Sequence, residues 1–144
     1  MTVGYVIPGR AGALAAYPHA RRAGDLIFVS GISSRRPDNS HAGVTIGADG
    51  AVELDIAAQT RAVLENIGAI LAASGATLAD VVDLTVFLVD MRDYGAMNAV
   101  YNTFFDAETG PTRTTVAVHQ LPHPNLLIEI KAVAYRPLPP APEA

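Results

Sequence analysis

The apolar residues of this chain switch twice from strand to helical period and back, and this constrains the fold more than any other feature. Strand-like runs at His19 to Arg22 and Leu26 to Ser30 flank Ala23-Gly24-Asp25, the pattern of a hairpin. Val44 to Ile46 and Val52 to Leu54, separated by Asp49-Gly50, predict a second short hairpin. Then Ile56, Thr60, Val63, Leu64, Ile67, Ile70 and Leu71 recur at helical spacing, with Asp55 placed as N-cap and Gly75 able to end the helix in the left-handed conformation. Thr77 to Asp80 has the Thr-x-x-Asp form of a helix start and predicts a single turn before a β-branched strand, Val81 to Val89. A second helix is expected from Met91 to Phe105, with Asp90 and Asp93 at its positive end and Tyr94, Met97, Tyr101 and Phe104 or Phe105 facing inward. Thr114 to Val118 and Leu126 to Tyr135 read as the last strands. The order implies an α+β domain in which two helices cover one face of a mixed sheet. The last strand carries Ile128, Ile130 and Ala132 on one side and Leu127, Val133 and Tyr135 on the other. Its second side therefore needs burial that one chain does not supply, and self-association through the open face is the simplest solution.

With 144 residues, half of them hydrophobic, the chain is expected to be one domain, 1–144, with a core over about 17–136. The Gly/Ala-rich residues 1–16 and the proline-rich residues 137–144 read as flexible ends. The absence of cysteine excludes thiolate catalysis, Cys-based zinc sites and disulfides. No secretory leader is recognisable, and no apolar run reaches the roughly 18–20 residues of a membrane helix. A cytoplasmic protein without a membrane partner is expected. A net charge of −4 with scattered arginines argues against nucleic acid, which requires a dense basic face.

Arg113 follows the turn Gly110-Pro111-Thr112 at the mouth of a strand, where its fork could take a carboxylate in bidentate fashion or form a surface ion pair. Sixteen positions later, Glu129 occupies an otherwise apolar strand. A carboxylate in such a place has a raised pKa and acid–base potential, or pairs with Lys131 or an arginine. His119 and His123 flank Gln120-Leu121-Pro122, where they could line a pocket rim or cap a turn. His19, His41, His119 and His123 lack the spacing of zinc ligands, so no metal is expected. Ser30-Gly31 ends a strand and either presents a hydroxyl or amide to a ligand or simply turns the chain. Arg35 and Arg36, in the long polar loop Gly31 to Gly43, are a solvated tip or a second anion contact. Phosphate loops, dinucleotide fingerprints and nucleophile elbows are absent.

Taken together, Ala23-Gly24-Asp25 with Val29-Ser30-Gly31, the Asp93 to Tyr101 segment with Asn98, Gly110-Pro111-Thr112-Arg113-Thr114, and Leu121-Pro122 leading to Ile128-Glu129-Ile130 resemble the RidA/YjgF family of enamine/imine deaminases, from about Tyr17 to Tyr135. Tyr17 to Asp25, Ser33 to Asn39 and Arg113 to Tyr135 are most similar to the 2-aminomuconate deaminase branch. The resemblance implies a chorismate-mutase-like fold, a homotrimer whose sheets pack into a central barrel, and active sites in clefts between subunits. It implies that Arg113 binds the carboxylate beside the C=N carbon, that Glu129 positions or activates water, and that Tyr17, Ser30 and Asn98 line the cleft. Thr115 stands where the family has Cys or Thr, a position that contributes its backbone. No cofactor is implied. The expected substrate is a small dicarboxylate, 2-aminomuconate, deaminated to the 2-oxo or 2-hydroxy dienedioate in aromatic catabolism. Arg35 and Arg36 would then meet the second carboxylate. The alternatives are a general 2-imino/enamino acid deaminase that limits metabolite damage, and a non-catalytic trimer that binds small acids.

Overall fold

The structure, a computed structural model, describes residues 2–140 and 142. Strands β1 (Thr2–Tyr5), β2 (Ala20–Ala23) and β3 (Leu26–Ile32) are followed by a hairpin of β4 (Val44–Ile46) and β5 (Val52–Leu54). Helix α1 (Ile56–Ala73) follows, then β6 (Val81–Leu88), helix α2 (Tyr94–Tyr101), β7 (Thr112–Ala117) and β8 (Ile128–Tyr135). The main sheet has the order β1-β2-β3-β8-β6-β7, with β6 and β7 parallel and the other pairs antiparallel. The expected fold of two helices on a mixed sheet is therefore present.

Helix α1 starts and stops as its sequence predicts. The Asp55 carboxylate accepts from the Ala58 N–H at 3.1 Å, and Gly75 takes φ +87° just past the last turn, where other residues are strained. Thr77 and Asp80 form the capping box of one 3₁₀ turn. The second helix is shorter than the expected Met91 to Phe105. A 3₁₀ turn over Met91–Asp93 precedes α2, which stops at Tyr101. There the Thr103 hydroxyl donates to the Val100 carbonyl at 2.7 Å, a local bond that competes with helix continuation. Asp106 then gathers the Glu108 and Thr109 amides into a turn. Of the expected inner stripe, Met97 and Tyr101 are buried but Tyr94 is not, because it turns toward Arg113.

Residues 2–5 are not a free extension: β1 pairs antiparallel with β2, from Thr2↔Ala23 to Tyr5↔Ala20, as a sheet edge. In the tail, residues 141, 143 and 144 lie outside the described residues, and Leu138 N–H donates to the Asp25 carboxylate at 3.2 Å.

Alternation places Ile27, Val29, Leu84, Val86, Leu88, Ile128, Ile130, Ala132 and Ala134 on the helix-covered face, all nearly or fully buried. The opposite face bears Leu26, Phe28 and Tyr135, which are 37%, 40% and 50% exposed, with Phe87 and Val133 half-buried among them. No element among the described residues covers this face. Among the described residues, no helix is long and apolar enough to cross a membrane.

Candidate active site

Strand β3 bulges where the sequence reads Ser30-Gly31. Val29 pairs with Ala132 and Ile32 with Ile130, so β3 inserts one more residue than β8 between those pairs. The bulge turns Ser30 toward the chain before β2. Its hydroxyl donates to the Pro18 carbonyl at 2.8 Å, and its N–H to the His19 carbonyl at 3.0 Å. Gly31 leaves room for Glu129, since a Cβ on Gly31 would lie 2.2 Å from Glu129 Oε1. Burial pushes the Glu129 carboxyl above its ordinary value, because the charged form loses water. Among the described residues Glu129 makes no hydrogen bond or ion pair, with Lys131 or any arginine, so it is a desolvated and unengaged carboxylate.

Glu129 borders a cavity of about 760 Å³ at the end of β3. Tyr17, Ser30, Arg35, Arg36 and His123 line it as well, so six of the residues singled out by sequence converge on one space. A smaller recess of about 280 Å³ runs from Tyr17, Ser30 and Glu129 to Lys131. The polar loop is built around its own hydrogen bonds. Arg36 N–H donates to the Ser40 carbonyl at 2.7 Å, Ser34 Oγ to the Ala42 carbonyl at 2.9 Å, and Asn39 adopts φ +69°. Arg35 is largely engaged, donating to Asn39 Oδ1 at 2.7 Å and to the Gly12 carbonyl. Arg36 donates to Ser40 Oγ at 3.2 Å.

His123 fills both of the roles open to it, since it lines the cavity and its Nδ1 accepts from the Asn125 N–H at 3.1 Å. Its ring packs against that of His41 at a tilt of 38°, with centroids 4.5 Å apart. Burial, then His123 and the nearby arginines, hold His41 below the usual imidazole pKa. Among the described residues no third ligand joins this pair to make a metal site. The loop carrying His123 is fixed from α1. Gln59, fully buried, donates to the Asn125 carbonyl and accepts from the Leu127 N–H, both at 2.9 Å. Those bonds take up the Asn125 carbonyl and the Leu127 N–H, and β8 begins at Ile128 rather than Leu126.

Arg113 lies elsewhere. On β7 it pairs with Leu84, whose side chain is on the helix-covered face, and its guanidinium packs against α2. The guanidinium carbon sits 4.6 Å from the Tyr101 ring centroid and 5.6 Å from that of Tyr94, with Nη2 donating to Tyr94 Oη at 3.3 Å. Burial raises the Tyr101 pKa against the opposing effect of Arg113. Asn98, half-buried, lies on the helix face shared by Tyr94 and Tyr101. Thr115, two residues along β7, has a buried hydroxyl without a hydrogen-bond partner. No carboxylate among the described residues pairs with Arg113, so the ion-pair alternative is not realised.

Glu129 pairs with Phe87 on the open face, whereas Arg113 shares the face of Leu84 and Ala132. The side chains of Arg113 and Glu129 thus point to opposite faces of the sheet. Arg113, Asn98 and Thr115 form one partial site; Tyr17, Ser30 and Glu129 form the other, at the border of the arginine-edged cavity, which also takes Asn66 of α1. His119 is exposed just beyond β7 and joins neither. Arg10 and Asn66, to which sequence reasoning gave no role, and His41, which it weighed only as a metal ligand, also line the cavity. Pro8-Gly9, a turn signal directly before Arg10, was the available clue to the first of these.

A family model described as Endoribonuclease L-PSP matches residues 9–136. A RutC family protein of Pyrococcus horikoshii is 42% identical over 120 residues, covering 83% of this chain and 86% of that protein. A 2-iminobutanoate/2-iminopropanoate deaminase of Salmonella typhimurium is 44% identical over 89 residues, covering 60% of this chain and 69% of the relative. Among solved structures, E. coli TdcF with bound serine superposes with a TM-score of 0.76 at 32% identity, covering 93% of this chain and 98% of that one.

Proposed function

Because the chain belongs to the Endoribonuclease L-PSP (RidA/YjgF) family, whose members include a named imine deaminase, we propose that it is an imine/enamine deaminase acting on 2-aminomuconate. One observation carries this reading: a desolvated, unpaired Glu129 at the border of a cavity edged by three arginines, Arg10, Arg35 and Arg36. Such a cavity suits a small acid with more than one carboxylate.

The substrate tautomerises from the 2-enamine to the 2-imine. Its carboxylate beside the C=N carbon binds the Arg113 fork, which lies over the rings of Tyr101 and Tyr94. Glu129 takes a proton from water as the oxygen bonds to the imine carbon, then returns it to the nitrogen. The carbinolamine passes its hydroxyl proton to nitrogen and releases ammonia, leaving the 2-oxohexenedioate, whose enol is the 2-hydroxy dienedioate. Proton transfer of this kind contributes roughly 10²- to 10⁴-fold. Its raised pKa makes the Glu129 carboxylate a better proton acceptor than an ordinary glutamate.

On this reading Arg113 and Glu129 act together only when a second copy docks, and the uncovered sheet face with Phe28 and Tyr135 supports association, as a homotrimer. The test mixes Arg113→Ala with Glu129→Gln subunits after separate purification. Each variant alone should release no ammonia from 2-aminomuconate above background. In a cyclic trimer with random mixing, about a quarter of the sites regain both groups. No recovery in demonstrably mixed oligomers would overturn the shared site. The alternative favoured by the Salmonella relative is a general 2-imino acid deaminase, and faster turnover of 2-iminopropanoate than of 2-aminomuconate would select it. Ligand binding without ammonia release from either compound would select a non-catalytic acid-binding protein. The cavity arginines face a concave space rather than forming a basic stripe, which favours a small acid over nucleic acid as the ligand.

A further inference from the structure

The segment before β2 is built to hold one side chain. Pro8 and Gly9 occupy the centre of a tight turn closed by Arg10 N–H to the Ile7 carbonyl at 3.4 Å, with Gly9 at φ +80°, as a Pro-Gly type II turn requires. Buried His19 clamps both sides of that turn. Its Nδ1 accepts from the Ile7 N–H at 2.9 Å, and its Nε2 donates to the Ala11 carbonyl at 2.8 Å. These two bonds select the tautomer with the proton on Nε2. One residue further, Arg35 reaches across to the Gly12 carbonyl. Residues 7–12 are thereby fixed at both ends of the turn, and none of these bonds uses the Arg10 side chain.

Arg10 is exposed, lines the cavity, and among the described residues has no acceptor or carboxylate on its guanidinium. The two other arginines at this edge are engaged, Arg35 by Gly12 and Asn39, and Arg36 by Ser40. We propose that Arg10, presented by the His19-clamped Pro-Gly turn, is the specificity-determining residue that receives the carboxylate distal to the reacting C=N group. This rests on the dicarboxylate reading above and names the cation that reading needs. Arg35 holds the turn that carries it, so the loop arginines expected to bind the second carboxylate would act mainly through position. An arginine whose planar fork is unoccupied need break no existing bond to take a carboxylate, and its ordered backbone adds no cost beyond that of fixing the side chain.

The test has two parts. In the first, kcat/KM is measured for 2-aminomuconate and 2-iminopropanoate with wild type, Arg10→Ala and Arg36→Ala. A lost charge-assisted contact predicts that Arg10→Ala lowers the ratio of the two values by about 10- to 100-fold, and that Arg36→Ala lowers it less. In the second, calorimetry follows binding of cis,cis-muconate, a six-carbon dicarboxylate without nitrogen, which Arg10→Ala should weaken by a similar factor while Arg10→Lys retains part of the affinity. Muconate affinity and substrate ratio both unchanged in Arg10→Ala overturn the assignment, as does a larger change from Arg36→Ala. If wild type hydrolyses only 2-iminopropanoate yet muconate binding still depends on Arg10, the assignment of the cation stands and the choice of substrate falls.

Discussion

Gly31→Ala should separate chemistry from stability. Gly31 has a negative φ, so alanine is compatible with the backbone, and the position is exposed. What alanine cannot do is coexist with Glu129 as placed. The new Cβ would lie 2.2 Å from Oε1, and reaching the 3.4 Å at which ordinary contact begins moves the carboxylate by about 1.2 Å. The atom that must yield is the tip of a flexible side chain, so little strain is stored. Alanine also restricts the unfolded chain, which stabilises by about 0.4–1 kcal/mol. The melting temperature should therefore hold or rise slightly. Catalysis should not hold, because a misplacement of about 1 Å costs on the order of 10²-fold. The assay is kcat for ammonia release alongside thermal unfolding. A Gly31→Ala enzyme within about threefold of wild type would refute the link between the bulge and the carboxylate.

Gln59→Leu leaves the Asn125 carbonyl and Leu127 N–H without their partner and should cost about 1–3 kcal/mol, read from the urea midpoint; an unchanged midpoint would show that water replaces the amide. Arg113→Lys should lose nearly as much kcat/KM as Arg113→Ala, because an ammonium cannot reproduce the planar fork that lies over the Tyr101 and Tyr94 rings; near-wild-type turnover would contradict this. Because burial raises the Glu129 pKa above its ordinary value, its ionised, proton-accepting form is lost earlier as pH falls, so the acidic limb of the rate profile should lie above the usual glutamate range, and a limb within that range would contradict this. The same shift makes the folded state bind its proton more tightly than the unfolded one, so the native chain loses stability as pH rises from the ordinary value through the raised one. Glu129→Gln should remove that loss, and stability curves of wild type and variant that run parallel through this range would contradict it.

The helices and strands were legible where local chemistry decides them. Asp55 and Gly75 bracket α1 because a cap and a left-handed glycine act within one turn of chain. The end of α2 and the start of β8 were misplaced because Thr103 and Gln59 redirect backbone bonds, and the bond from Gln59 spans more than sixty residues. Strand β1 was missed since its four residues carry little alternation and gain their order from pairing with β2. At the site, the anomaly of a carboxylate in an apolar strand was visible in the alternation around Glu129. The bulge that seats it was visible only as a Ser-Gly pair, equally consistent with a plain turn. Arg10 was hidden by composition: a lone arginine in a Gly/Ala-rich stretch acquires meaning only once His19 folds that stretch over the cavity.

Arg113 and Glu129 stand on opposite sides of one layer of backbone, and side chains do not reach through a hydrogen-bonded sheet. On the shared-site reading, chemical competence then belongs to the assembly and is absent from the isolated chain. A freshly synthesised copy would be inert toward imines until it met its own kind, and specific activity would fall on dilution below the dissociation constant of the oligomer. Any inactivating substitution on the open sheet face must consequently be weighed by ultracentrifugation before it is assigned to catalysis.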